Sequence, residues 1–292
     1  MAPESQLNIS GSTKLTALIG SPVGHSLSPA MHNASYAKLG INAVYAAFDV
    51  KNYQLESVVR AFPDMGMIGY NVAMPCKTTV CKYLDALSPA AELMGAVNCV
   101  QIVDGRSIGH NTDGEGFVAN LRSLDFDPED KIVTIAGTGG AGLAVFTQLA
   151  LEGVKRIDVY NRSDRFHGSG ISRVEMLSEQ TGVPIVLRNL GNRGALSASI
   201  AESDLFINAT RAGMTPLDAL CVIDESMLHD DLVVADTVYY PRETKLIRMA
   251  KEHGLKTAPG YGMLLHQAAL SEKVWFGPDT EMPIDYIAER FF

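Results

Sequence analysis

Short apolar runs alternate with helical patterns along this chain. Residues 15–20 are apolar and close in the turn Gly20-Ser21-Pro22, which predicts a buried strand. Pro29 opens a helix predicted to reach about Leu39, where Gly40 stops it. Residues 43–50, rich in β-branched and aromatic side chains, predict a second strand. The helical spacing of Leu55, Val58, Val59 and Phe62 then precedes a third strand at 67–71. This β-α-β-α-β order implies a parallel or mixed sheet with helices on its faces.

A second such unit starts near Lys131. A strand is predicted at 132–136, then a glycine-rich turn, a helix through Leu151 ended by Gly153, and a strand at 156–160. Further strands are predicted at 184–187, 205–209 and 232–237. Between the two units lie one helix, 115–124, and the polar stretch 125–130, where the crossing is placed. After Gly260-Tyr261-Gly262 the pattern is helical again. The predicted fold class is therefore α/β with two domains. Residues 1–114, completed by 263–292, form one, and 115–262 form a Rossmann-type, doubly wound dinucleotide-binding domain.

A chain of 292 residues suits two domains and needs no disulfide or structural metal. Its four cysteines form no CxxC pair and no metal-spaced cluster, so reduced thiols, a cytoplasmic location and no metal are expected. Residues 1–13 lack the basic and apolar regions of a signal peptide, and no apolar run nears the roughly 20 residues of a membrane span. The net charge of −9, without a basic stripe, argues against nucleic acid as a partner. It leaves a small anionic substrate open, because donors in a cleft act locally.

Gly137, Gly139 and Gly142 match G-x-G-x-x-G between a strand and a helix. They permit the turn, backbone approach to a pyrophosphate and helix–strand packing, with the anion on the helix N-terminus. The next strand ends Asn161-Arg162-Ser163-Asp164. An acidic residue there favours NAD through the ribose 2′-hydroxyl, and an arginine accommodates the 2′-phosphate of NADP. Both signals are present, and the reading leans to NAD with NADP possible.

Three segments of the first half carry further chemistry. In Gly24-His25-Ser26-Leu27-Ser28-Pro29, Ser28 before Pro29 reads as an N-cap. Ser26 and Ser28, two apart in an extended stretch, also put two hydroxyls on one side as a carboxylate cradle. Asn71 and Lys77 flank a turn at the end of a strand, where ligands of open α/β sheets gather. Asn98 lies in Ala96-Val97-Asn98-Cys99-Val100, and Asp113, in Asn111-Thr112-Asp113-Gly114, reads as the N-cap of the next helix.

Six segments, GHSLSP, NVAMPCK, AVNCV, NTDGEGF, GTGGAG and GYGMLLHQ, follow one another in an order that resembles the shikimate/quinate dehydrogenase family over nearly the whole chain. The resemblance implies a two-domain α/β protein with its active site in the cleft between domains. It implies reversible NAD(P)-dependent oxidation of the ring C3 hydroxyl of shikimate or quinate to the 3-dehydro ketone, in the shikimate pathway, by a monomer or homodimer. Lys77 and Asp113 correspond to the catalytic pair, and Ser26 and Ser28 to the carboxylate site. Asn71, Asn98 and Gln267 correspond to further substrate contacts, as does Tyr239 from the second domain. Gly137, Gly139, Gly140, Ala141, Gly142, Asn161, Arg162, Asp164, Thr210, Gly260 and Met263 correspond to the cofactor site. Ala73 stands where these enzymes often carry threonine or serine. The tail Asn161-Arg162-Ser163-Asp164 is similar to the branch that accepts NAD and quinate.

A lysine at the reacting oxygen can exchange its proton and stabilise a developing alkoxide, while the cofactor carries the hydride. Two other readings use the same scaffold: a dehydrogenase for another cyclic hydroxy-acid, and a dinucleotide-binding sensor without catalysis.

Overall fold

The computed structural model describes residues 9–162 and 167–292. They form two compact units; the chain passes between them at Thr112/Asp113 and returns at His266/Gln267, rather than at the polar stretch 125–130.

The first unit is built on β1 (Lys14–Gly20), α1 (Ser28–Leu39), β2 (Ala43–Asp49), α2 (Leu55–Ala61), β3 (Met67–Val72), β4 (Ala86–Leu87), α3 (Pro89–Met94), β5 (Cys99–Val103) and β6 (Arg106–His110). Its sheet runs β2-β1-β3-β5-β6-β4. β1 lies parallel to β2 and β3, while β5 is antiparallel to both β3 and β6, so the sheet is mixed. The β5–β6 hairpin lies outside the predicted strands. Asp104 and Gly105, at φ 51 and 74, make its two-residue turn, the left-handed pair that matches strand twist. Along β1, Ala17 and Ile19 join one core with Leu55, Tyr70 and Val100, while Leu18 joins another with Tyr36, Tyr45 and Trp275. Both faces are buried, hence the continuous apolar run.

The second unit carries β7 (Ile132–Ala136), α5 (Gly140–Leu151), β8 (Arg156–Asn161), α6 (His167–Thr181), β9 (Ile185–Asn189), α7 (Arg193–Ala201), β10 (Leu205–Asn208), β11 (Val233–Asp236), α8 (Lys245–Glu252) and β12 (Thr257–Ala258). The sheet order is β12-β11-β10-β7-β8-β9, parallel at every pairing. The chain winds outward from β7 through β8 and β9, then returns to β10 beside β7 and winds the other way. The order reverses between β7 and β10, the place where doubly wound sheets bind ligands.

α4 (Thr112–Arg122) opens at Thr112, earlier than the predicted 115–124. α9 (Gly260–Phe276) opens at Gly260 and is followed by α10 (Ile284–Phe291). Within the first unit Trp275 of α9 fills the space over Gly69 that a Cβ would take, and its indole N–H donates to the Val100 carbonyl at 3.0 Å. Among the described residues no helix is long and apolar enough to cross a membrane.

Candidate active site

In the first unit, Leu27 is in the right-handed helical region (φ −80, ψ −13), so Ser26 and Ser28 do not lie on an extended stretch. Ser28 is the first helical residue rather than the cap; its N–H donates to Ser26 Oγ at 3.2 Å. The proline ring that follows needs no hydrogen bond in that turn, and a hydroxyl two residues back meets the orphan N–H instead.

Asn71, in β3, is 6% exposed and held by three side-chain hydrogen bonds. Its Nδ2 donates to the Asn98 carbonyl (3.0 Å) and to Ser271 Oγ (3.0 Å), and its Oδ1 accepts from the Tyr45 hydroxyl (2.8 Å). Burial pushes the Tyr45 hydroxyl well above its ordinary pKa, so it stays protonated and donates. Asn98 holds the start of α4: its Oδ1 accepts from the Thr112 N–H (2.7 Å), and its Nδ2 donates to Thr112 Oγ1 (3.0 Å). Thr112 Oγ1 lies 3.2 Å from Ser271 Oγ, which donates to the Gln267 carbonyl (3.0 Å). Asp113 is thus within the first turn of α4, and the N-cap reading is corrected; the first helical N–H goes to Asn98, from a different strand end. Lys77 is half-buried on the turn after β3, and its carbonyl accepts from the Val97 N–H at 2.9 Å, tying that turn to the residue before Asn98.

The second unit holds a cavity of about 440 Å³ at the point where strand order reverses. It is lined by Gly137, Thr138 and Gly139 after β7, by Asn161 at the end of β8 and Arg162 after it, and by Ala209 to Ala212 after β10. A Cβ on Gly142 would strike the Gly137 carbonyl, so α5 packs directly on the turn, whereas Gly139 faces open space. This fits a dinucleotide: backbone donors at a helix start, with room for a pyrophosphate at Gly139. Gly140, Ala141 and Gly142 form the first turn of α5. Thr210 lines the cavity, while Gly260 packs against the Val238 carbonyl and Met263 is buried in α9. Tyr239 is half-buried beyond the end of β11. Asp164 lies outside the described residues. Among the described residues, no three His, Cys, Asp or Glu side chains are placed to hold a metal.

A family model described as the shikimate dehydrogenase substrate binding domain matches residues 18–100. A shikimate dehydrogenase (NADP(+)) of Listeria monocytogenes is 44% identical over 285 residues, 97% of each chain. The chain belongs to the shikimate dehydrogenase family. It is an NAD(P)-dependent dehydrogenase with the family's two α/β domains, the second Rossmann-like. The crystal structure of a Listeria monocytogenes shikimate 5-dehydrogenase in complex with shikimate and NAD superposes with a TM-score of 0.94, at 44% identity and 98% coverage of both chains. A quinate dehydrogenase from Corynebacterium glutamicum in complex with NAD gives 0.86, at 30% identity, covering 96% of this chain and 98% of that one.

Several residues of this shikimate dehydrogenase-family site escape sequence reading. Tyr45, Thr112 and Ser271 complete the Asn71–Asn98 network. Behind them Glu272, fully buried, takes His32 Nδ1 at 2.8 Å and the Ser35 hydroxyl at 2.7 Å, and His32 stacks on Tyr45 with centroids 4.4 Å apart. Ser271 follows Gln267 by four residues on α9, a spacing that places both on one helix face and was the available signal. Arg211, a second arginine on the cavity of the second unit, was likewise unread.

Proposed function

We propose that this enzyme reversibly oxidises the ring C3 hydroxyl of shikimate to the ketone, prefers NAD to NADP, and takes quinate as a second substrate. The observation that carries the substrate assignment is Asn71. Both its N–H bonds are spent on Asn98 and Ser271, and one lone pair of Oδ1 is spent on Tyr45, so a single acceptor position remains. Such a group accepts from a donor on the substrate, which a ring hydroxyl supplies. Ser26 and Ser28, at the start of α1, bind the carboxylate. Lys77 takes the hydroxyl proton and, once charged, stabilises alkoxide character at that oxygen, with Asp113 as its acid–base partner. Asn98, Gln267 and Tyr239 are the further substrate contacts.

When bound, the nicotinamide supplies the hydride acceptor. Gly137, Gly139 and the start of α5 would hold its pyrophosphate, and Asn161, Arg162 and Thr210 its adenosine side. Support for NAD comes from the tail Asn161-Arg162-Ser163-Asp164, whose carboxylate suits a free ribose 2′-hydroxyl. The relatives compared above include one named for NADP(+) and two bound to NAD. Initial rates on shikimate and quinate with each dinucleotide test the whole reading. A higher kcat/KM with NADP overturns the cofactor preference, and no turnover of shikimate with either overturns the function.

A further inference from the structure

Asp236 closes β11 at 1% exposure, and among the described residues no cation pairs with it. Its Oδ1 accepts from Asn208 Nδ2 (3.0 Å) and the Val238 N–H (2.9 Å), and its Oδ2 from the Thr244 hydroxyl (2.7 Å). Asn208 closes the neighbouring β10, equally buried. Its Oδ1 accepts from the Thr210 N–H (3.1 Å) and hydroxyl (2.7 Å), and its Nδ2 also donates to the Ala212 carbonyl (2.9 Å). The Thr210 hydroxyl in turn accepts from the Ala212 N–H at 3.0 Å. Every other bond of the Asn208 amide therefore shapes 209–212, the wall of the dinucleotide cavity.

An unpaired carboxylate in this position is costly. Burial drives its pKa from 3.8 to about 7, against the hydrogen bonds from Thr244, Val238 and Asn208 that pull it down. Strand ends of a parallel sheet do not require such a group. What it accomplishes here is to bind two separate chain segments at once.

We infer that Asp236 is a positioning residue for the dinucleotide: through Asn208 it fixes the 209–212 wall of the cavity, and through Val238 and Thr244 the segment carrying Tyr239. It touches neither substrate nor cofactor. The inference rests on the reading of that cavity as the dinucleotide site.

The test is equilibrium titration of the full chain with NAD and with NADP by calorimetry, alongside Michaelis analysis. Asp236→Ala should raise Kd and KM for the dinucleotide about tenfold or more, with kcat at saturation within about threefold of the parent. Asp236→Asn keeps an oxygen for Asn208 and Val238, and should restore Kd to within about threefold. If the alanine variant does not fold, Asn208→Ser breaks the same link from the β10 side and should raise Kd several-fold. Unchanged Kd in Asp236→Ala, or in Asn208→Ser where that variant must stand in for it, overturns the inference, as does an asparagine variant as weak as alanine. Gly139→Val separates the two readings. It should block NAD binding outright; if it binds like the parent, the cavity itself was misread, whereas blocked binding beside an unaffected Asp236→Ala removes only the positioning role.

Discussion

The Tyr45 hydroxyl donates to Asn71 Oδ1 at 2.8 Å across two strands of one sheet. The amide cannot be turned over, because the Asn98 carbonyl on its other side is an acceptor and must face the NH₂ group. Tyr45→Phe keeps the stack on His32 and removes that donor together with the hydroxyl's bond to Ser28. A buried carbonyl losing its partner costs about 1–3 kcal/mol, to be read by chemical denaturation. KM for shikimate should rise more than kcat falls. An unchanged KM would show that Asn71 does not need the tyrosine to present its oxygen.

Lys77→Ala should fold as the parent does, since the bond that ties this turn down is made by its backbone carbonyl. Turnover should drop by roughly 10²–10⁴-fold while Kd for NAD stays put. A variant with half the parental kcat would end the assignment of Lys77 to proton transfer.

Two glycines of one turn should separate stability from binding. An alanine at Gly142 meets the Gly137 backbone and, at 3.3 Å, the Ala209 side chain, so overpacking should cost about 1–3 kcal/mol or more. Gly139→Ala meets nothing within 4 Å and should keep the parental Tm, yet weaken NAD by intruding where the pyrophosphate belongs. Equal effects of the two substitutions on Tm would contradict this division.

Ala73 packs against Gly20, where an added Cβ would lie 2.7 Å from its own methyl carbon, and its N–H donates to the Ile19 carbonyl. Space on that side is closed, so a larger side chain must project away from β1. Ala73→Ser should raise kcat/KM for shikimate by about 0.5–1.5 kcal/mol of hydrogen bond. Ala73→Thr adds a methyl that can cancel the gain. If neither shifts the shikimate-to-quinate ratio, position 73 does not touch the ring.

Asp236 makes stability depend on pH. Its carboxyl, at about 7 folded against 3.8 for an ordinary aspartate, holds more protons in the folded than in the unfolded chain between those values. Its contribution therefore falls as pH rises from about 4 to about 7, by at most about 4 kcal/mol. Asp236→Asn cannot titrate, so its Tm relative to the parent should climb between pH 5 and pH 8. A flat or falling difference would mean that Asp236 ionises like an exposed aspartate.

Continuous apolar runs exposed the elements buried on every side, which is why β1, β3, β7 and α5 were legible. The β5–β6 hairpin was not, because Gln101, Arg106 and Ser107 interrupt its apolar pattern; Asp104-Gly105 was the mark it left. The glycine-rich turn could be read because its chemistry is backbone chemistry at fixed spacing. Tyr45, Ser271 and Glu272 could not, since they reach Asn71 and His32 from 26, 200 and 240 residues away. Side-chain hydrogen bonds over such separations leave no period in a sequence. Arg211 illustrates the converse, a charge that reads as a solvated loop until the strand order places it on a cavity wall.

The seating of Trp275 over Gly69, with Glu272 against His32, has a bearing on time as well as on packing. A ribosome delivers the strands of the first unit and then the whole of the second, continuous from Asp113 to His266, before either of those side chains emerges. At about 5–20 residues per second, the earlier half waits roughly ten seconds or longer with its histidine uncovered and one sheet face open. The half made first is the last to be finished.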